Sequence, residues 1–160
     1  MTQMDLEARA HEDHHDALRL WLRLLTCTQL IEQQVRARLR EQFETTLPRF
    51  DLMAQLERAP GGLKMNELSR RMMVTGGNVT GITDQLEAEG MVQRVPLEGD
   101  RRALLIRLTP AGRKAFTEMA GVHEGWIVES LSGLSEREVE TLHKLLGKVK
   151  HHINAAEAVL

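Results

Sequence analysis

Residues 68–112 read LSRRMMVTGGNVTGITDQLEAEGMVQRVPLEGDRRALLIRLTPAG, and the order of patterns inside this run decides the fold. Leu68 and Met72 lie one helical turn apart on a short helix. A second helix follows, because Val79, Ile82 and Leu86 recur at the three- and four-residue spacing of an amphipathic helix. Thr75 has a capping side chain for its start, and Gly90 stands where a left-handed residue ends a helix. The pattern then changes. MVQRVP (91–96) and ALLIRL (103–108) read as two short strands joined by LEGDRR, in which Gly99 supplies the tight turn. Thr109 and Pro110 form a cap with proline at the first helical position, so LTPAGRKAF opens another helix.

Outward from this run the chain is helical. Leu18, Leu22, Leu25, Leu30, Val35 and Leu39 predict one long helix from about Asp13 to Phe43. TTLP breaks it, with Thr46 as a cap and Pro48 in the first turn of a helix that APGG ends at 59–62. Ser135 and Glu138 form the S-x-x-E capping box of a last helix running towards His151. The order is long helix, three helices, a two-stranded hairpin, two long helices. That is a mainly α winged helix-turn-helix with a β-hairpin wing, one domain over 1–160. Residues 47–108 make the winged region, and 13–45 and 110–156 carry apolar surface left over for dimerisation.

The helix at 75–89 poses a question. Gly76, Gly77 and Gly81 each cost roughly 1 kcal/mol relative to alanine in a helix. A bare face is useful where the backbone must approach something large and polar. A recognition helix presents its N-terminal residues to the major groove, where Asn78 and Thr80 suit adenine edges and thymine methyls. The same glycines could serve a turn packed on a neighbouring element; a short helix before and a hairpin after favour the groove.

Composition is compatible with this. The 160 residues carry a net charge of −2, but Leu63–Lys114 holds nine Lys/Arg against six Asp/Glu. A basic middle inside acidic flanks fits a polyanionic partner on an otherwise acidic protein. Aromatic residues are only 3%, which favours helix over sheet. No apolar run is long enough to cross a bilayer, the N-terminus is not signal-like, and the single Cys27 fits a reducing compartment, so a cytoplasmic protein is expected.

At the hairpin tip, Asp100 can hold Arg101 or Arg102 in a fixed direction through a charge-assisted hydrogen bond. An arginine so held fits the narrow minor groove of A·T-rich DNA. A charged tip is also a common solvated loop. Taken together, the D-R-R wing, the L-T-P-A-G that follows it and the L-x-x-E-G ending at Gly90 resemble the MarR family of bacterial transcription regulators. The resemblance covers essentially the whole chain. It implies a homodimeric repressor on a near-palindromic double-stranded DNA operator, released by a small ligand and frequently linked to aromatic catabolism. By position it makes Thr75, Gly76, Gly77, Asn78, Thr80 and Gly81 the groove-contacting turn and Arg101 the wing contact. The three glycines depart from the family's usual pattern.

The resemblance also implies a ligand pocket bounded by the first long helix. Arg19, Arg23 and Thr26 form one polar line there beside Trp21, and Arg49 can approach from the second helix. Two guanidiniums suit a small anionic effector, an aromatic carboxylate or its CoA thioester. A solvated stripe, or pairing with Asp16 or with an acid across the dimer, explains the same line equally well. Cys27 reads as a small buried hydrophobe rather than an oxidant sensor. His11, His14, His15, His151 and His152 read as solvated termini rather than metal ligands. No cofactor is expected. Redox or metal sensing on the same fold, and a winged helix used only for protein interaction, remain rival readings. An enzyme does not fit, since no nucleophile elbow, triad order or phosphate loop occurs.

Overall fold

The computed structural model describes residues 15–73 and 78–159 of the chain. Six helices and three strands follow in order: α1 (His15–Phe43), α2 (Leu47–Glu57), β1 (Leu63–Lys64), α3 (Met65–Arg71), α4 (Val79–Ala88), β2 (Val92–Leu97), β3 (Asp100–Leu108), α5 (Pro110–Ser130) and α6 (Glu136–Glu157). The described residues up to His123 form one compact unit and those from Glu124 a second.

Local chemistry sets most boundaries. The Thr46 side chain accepts the Arg49 N–H, with Pro48 in the first turn of α2. At α6 both halves of the capping box form: Ser135 accepts the Glu138 N–H, and the Glu138 carboxylate accepts the Ser135 N–H. Gly90 closes α4 with φ at +76°, a left-handed conformation that costs glycine nothing.

In the first unit, α2, α3, α4 and β3 pack together around Leu52, Leu56, Leu68, Leu86 and Ile106, all fully buried. The sheet has three strands rather than the expected two, in the order β1-β3-β2. The two-residue β1 pairs antiparallel with β3, Leu63 opposite Ile106. So short a strand has no alternating pattern to reveal it; its partner makes it a strand. Along the hairpin, Val92 faces Leu108 and Pro96 faces Leu104, with an irregularity at Pro96/Leu97. A proline cannot donate to the ladder, so the register breaks where the wing leaves the core.

The L-T-P-A-G segment is the joint between the hairpin and α5. Thr109 Oγ1 donates to the Gly90 carbonyl at 2.6 Å and accepts the Gly112 N–H at 3.0 Å. The Thr109 N–H donates to the Met91 carbonyl at 3.0 Å. Gly112 lies so close that a Cβ there would stand 1.8 Å from that Met91 oxygen. The glycine is therefore required by backbone contact.

The second unit contains all of α6, with the end of α5 before it. No described residue of α6 is buried. Val139, Leu142, Leu146, Val149 and Ile153, spaced three and four residues apart, form an exposed apolar seam along it. No described helix is long and apolar enough to cross a membrane.

Candidate nucleic-acid interface

The helix expected from Thr75 starts later. Asn78 is the N-cap residue of α4, and Thr75, Gly76 and Gly77 lie outside the described residues. Of the three glycines, Gly81 is among the described residues, and it lies within α4. The Asn78 backbone is extended, as a cap requires, but its side chain makes no capping hydrogen bond. Thr80 is exposed. Among the described residues, the atoms nearest to a Cβ at Gly81 belong to the Asn78 side chain, at an ordinary 3.4 Å, so these neighbours do not demand a glycine there.

Val79 and Ile82 are half-buried, whereas Leu86 and the unexpected Thr83 are fully buried. Thr83 Oγ1 donates to the Val79 carbonyl at 2.7 Å, which satisfies its hydroxyl within the helix. Lying four residues after Val79 and three before Leu86, it fits the helical period. Counting only apolar residues hides it.

Asp51, buried in α2, holds the segment leading to α4. Its Oδ2 accepts the Met73 N–H at 2.7 Å and its Oδ1 accepts a Gln55 amide hydrogen at 3.1 Å. Two arginines bind α4 itself. Arg49 on α2 pairs with Glu89, donates to Gln85 Oε1 at 3.3 Å and donates to Thr45 Oγ1 at 3.1 Å. Arg94 on β2 donates to Asp84 Oδ1 at 2.6 Å and Glu87 Oε1 at 2.8 Å, and its backbone N–H donates to Glu87 Oε2 at 3.1 Å. Burial works against the charge on Arg94, but the hydrogen bonds to Asp84 and Glu87 outweigh it and raise its pKa.

At the wing, Gly99 turns with φ at +88°. Asp100 Oδ1 accepts the Arg102 backbone N–H at 2.9 Å. For Arg102 the contact is thus to the backbone, not the guanidinium, because an acid two residues back closes a local turn without ordering a long side chain. Arg102 is exposed and borders, with Lys64, Asn66 and Arg94, an open cleft of about 360 Å³. The Arg101 side chain lies outside the described residues.

The expected effector residues separate. Arg19, Trp21, Arg23 and Thr26 are exposed on α1, Trp21 at 56%. Arg49 instead borders two open clefts with the other end of α1: one of about 340 Å³ with Arg36 and Arg40, another of about 190 Å³ with Phe43, Met53 and Met119. Cys27, expected to be buried, is exposed. Among the described residues of α1 only Val35 and Leu39 are buried, so the early part of the helix has no core to enter. His151 and His152 are exposed, no described group of three or more His, Cys, Asp or Glu could hold a metal, and His11 and His14 lie outside the described residues. Sequence reading passed over His123. Its ring lies 4.8 Å from that of Phe50, and burial lowers its pKa from the ordinary histidine value.

Known proteins share this fold. Residues 45–104 match the MarR family. The chain is 34% identical over 106 residues to the HTH-type transcriptional regulator PecS of Dickeya dadantii, an alignment covering 65% of this chain and 64% of that protein. A MarR family transcriptional regulator from Silicibacter pomeroyi is 31% identical, with a TM-score of 0.72 over 88% of this chain and 99% of that one. A cysteine-to-serine variant of MarR from E. coli, solved with operator DNA, is 26% identical, with a TM-score of 0.70 over 86% of this chain and 99% of that one. With the winged helix-turn-helix in place and these likenesses running through it, the chain belongs to the MarR family of transcriptional regulators, not to an enzyme family.

Proposed function

We propose that the protein is a homodimeric, sequence-specific DNA-binding repressor released by a small anionic effector. The observation that carries this reading is the exposed start of α4. Asn78 makes no capping bond, Thr80 is exposed and Gly81 is a glycine that internal packing does not require. Small residues there let the helix N-terminus enter the major groove, with Asn78 and Thr80 reading base edges and the wing Arg101 and Arg102 reaching the adjacent minor groove. The E. coli MarR variant solved with operator DNA supports the same use of the fold.

The homodimer rests on unspent apolar surface. The α6 seam has the three-and-four spacing of helices that pair, and Leu18, Leu20, Trp21 and Leu30 on α1 are also exposed. Burying such surface is worth roughly 25 cal/mol per Å². Two-fold symmetry then calls for an inverted-repeat operator with half-sites about one helical turn apart.

The effector proposed for Arg19, Arg23, Thr26 and Trp21 is an aromatic carboxylate or its CoA thioester. Arg49 offers a route to DNA release. An anion that captures its guanidinium competes with Glu89 and so loosens the end of α4, provided it binds the DNA-free state more tightly.

A gel-shift and sedimentation series tests the reading. Wild type should form a dimer and retard a duplex selected from a random-sequence pool. Arg101→Ala should weaken retardation, and Asn78→Ala or Thr80→Ala should cost about 1–3 kcal/mol per lost base contact. A monomer at micromolar concentration, or Arg101→Ala binding as wild type does, would overturn the corresponding part.

A further inference from the structure

From Asn78 to Glu89 the chain carries three acids, Asp84, Glu87 and Glu89, and no lysine or arginine. This is an odd balance for a helix that must approach a polyanion. Thr80, Asp84 and Glu87 stand at i, i+4 and i+7, so two of the acids continue the face on which Thr80 is exposed. Asp84 is one helical turn from Thr80, well inside the screening length of about 8 Å at physiological salt, so its charge would be felt by a phosphate beside that face.

The compensating charge comes from outside the helix. Arg94 spans Asp84 and Glu87 with its two terminal nitrogens and returns its own backbone N–H to Glu87. Its side chain is only 20% exposed, whereas that of Asp84 is 62% exposed. The carboxylates therefore face outward with the cation behind them, and without that cation their charge would be directed at the DNA. Arg49 does the same for Glu89 at the far end.

We propose that Arg94 is a positioning residue for DNA binding that acts through Asp84 and Glu87: it cancels their charge and fixes α4 to the wing strand without itself contacting DNA. The inference rests on the reading of α4 as the DNA-binding helix. Basic residues make up the site's net charge elsewhere, and α4 is left to read bases with uncharged groups.

The test is a double-mutant cycle, read as dissociation constants for a duplex selected by wild type. Arg94→Ala should weaken binding about tenfold or more, in keeping with a charge-assisted pair removed beside a polyanion. Adding Asp84→Asn and Glu87→Gln to Arg94→Ala should restore affinity to within about threefold of wild type, a larger gain than the same two substitutions give when Arg94 is present. Arg94→Lys, which keeps the charge and loses the fork, should stay closer to wild type than Arg94→Ala. Thermal unfolding and helical content of each variant accompany the binding data. A triple variant as weak as Arg94→Ala, with no excess gain, overturns the proposal and makes Arg94 a structural clip. An Arg94→Ala slope against log salt reduced by about 0.9, with no rescue, overturns it in favour of a direct phosphate contact. A wild type that selects no duplex overturns the DNA-binding reading itself, an outcome distinct from both.

Discussion

Asp51 accepts the backbone N–H of Met73 at 2.7 Å, across 22 residues of sequence, and so holds the last described residue before Asn78 and α4. The buried carboxylate is shared with the Gln55 amide one turn along its own helix. The chain just after α3 is thus anchored on α2, ahead of the helix proposed to meet DNA.

Asp51→Ala should therefore cost about 1–3 kcal/mol in unfolding free energy, since it leaves a backbone N–H and a side-chain amide without their acceptor. Asp51→Asn, which keeps one acceptor oxygen, should cost less. Urea denaturation gives the magnitude. Amide exchange at Met73, faster in the alanine variant than in wild type, would localise the effect.

Gly81→Ala should separate stability from binding. Alanine is preferred in a helix by about 0.5–1 kcal/mol, and a Cβ at this position has room within the chain. The variant should melt higher and bind DNA more weakly, because the added methyl projects from the start of α4. Thermal melting together with a binding titration checks both signs. A higher melting point with unchanged affinity would mean that Gly81 is not at the interface.

His123 makes stability depend on pH. Burial holds its folded-state pKa below the ordinary 6.5. The unfolded chain then binds the proton more readily than the folded chain does. This contribution to stability is complete above about pH 6.5 and declines as pH falls through the folded pKa. His123→Phe, which keeps a ring beside Phe50, should lose less stability than wild type between about pH 7.5 and about pH 5.5. Equal losses in the two proteins would show that other groups govern the acid limb.

The features legible in the sequence are those written in neighbouring residues. Thr46, Ser135 with Glu138, Gly90 and the Thr109–Pro110 start act over one turn of backbone, and each stands where the sequence predicts it. The sequence predicts the start of α4 three residues early, because Thr75 and Asn78 are both acceptable caps. Features set by distant partners left no local trace. Leu63 becomes a strand only beside Ile106, Asp51 gains the Met73 N–H only when α3 folds back, and Arg94 reads as one more strand residue until α4 brings Asp84 and Glu87 to it. Arg49 looked available for a ligand because nothing near it in sequence announces Glu89.

The Thr109 joint has a consequence for how this protein can be altered. Its bonds to Gly90 and Met91 bring the two ends of the hairpin together, so β2 leaves and β3 returns through one fastened point. The end of α4 and the start of α5 are tied to each other there, before the hairpin tip begins. The wing is accordingly an exchangeable cassette. Adding or removing residue pairs beyond Pro96 and Leu104, or grafting a tip of different sequence, should leave the Thr109 joint and the helix ends it ties in place.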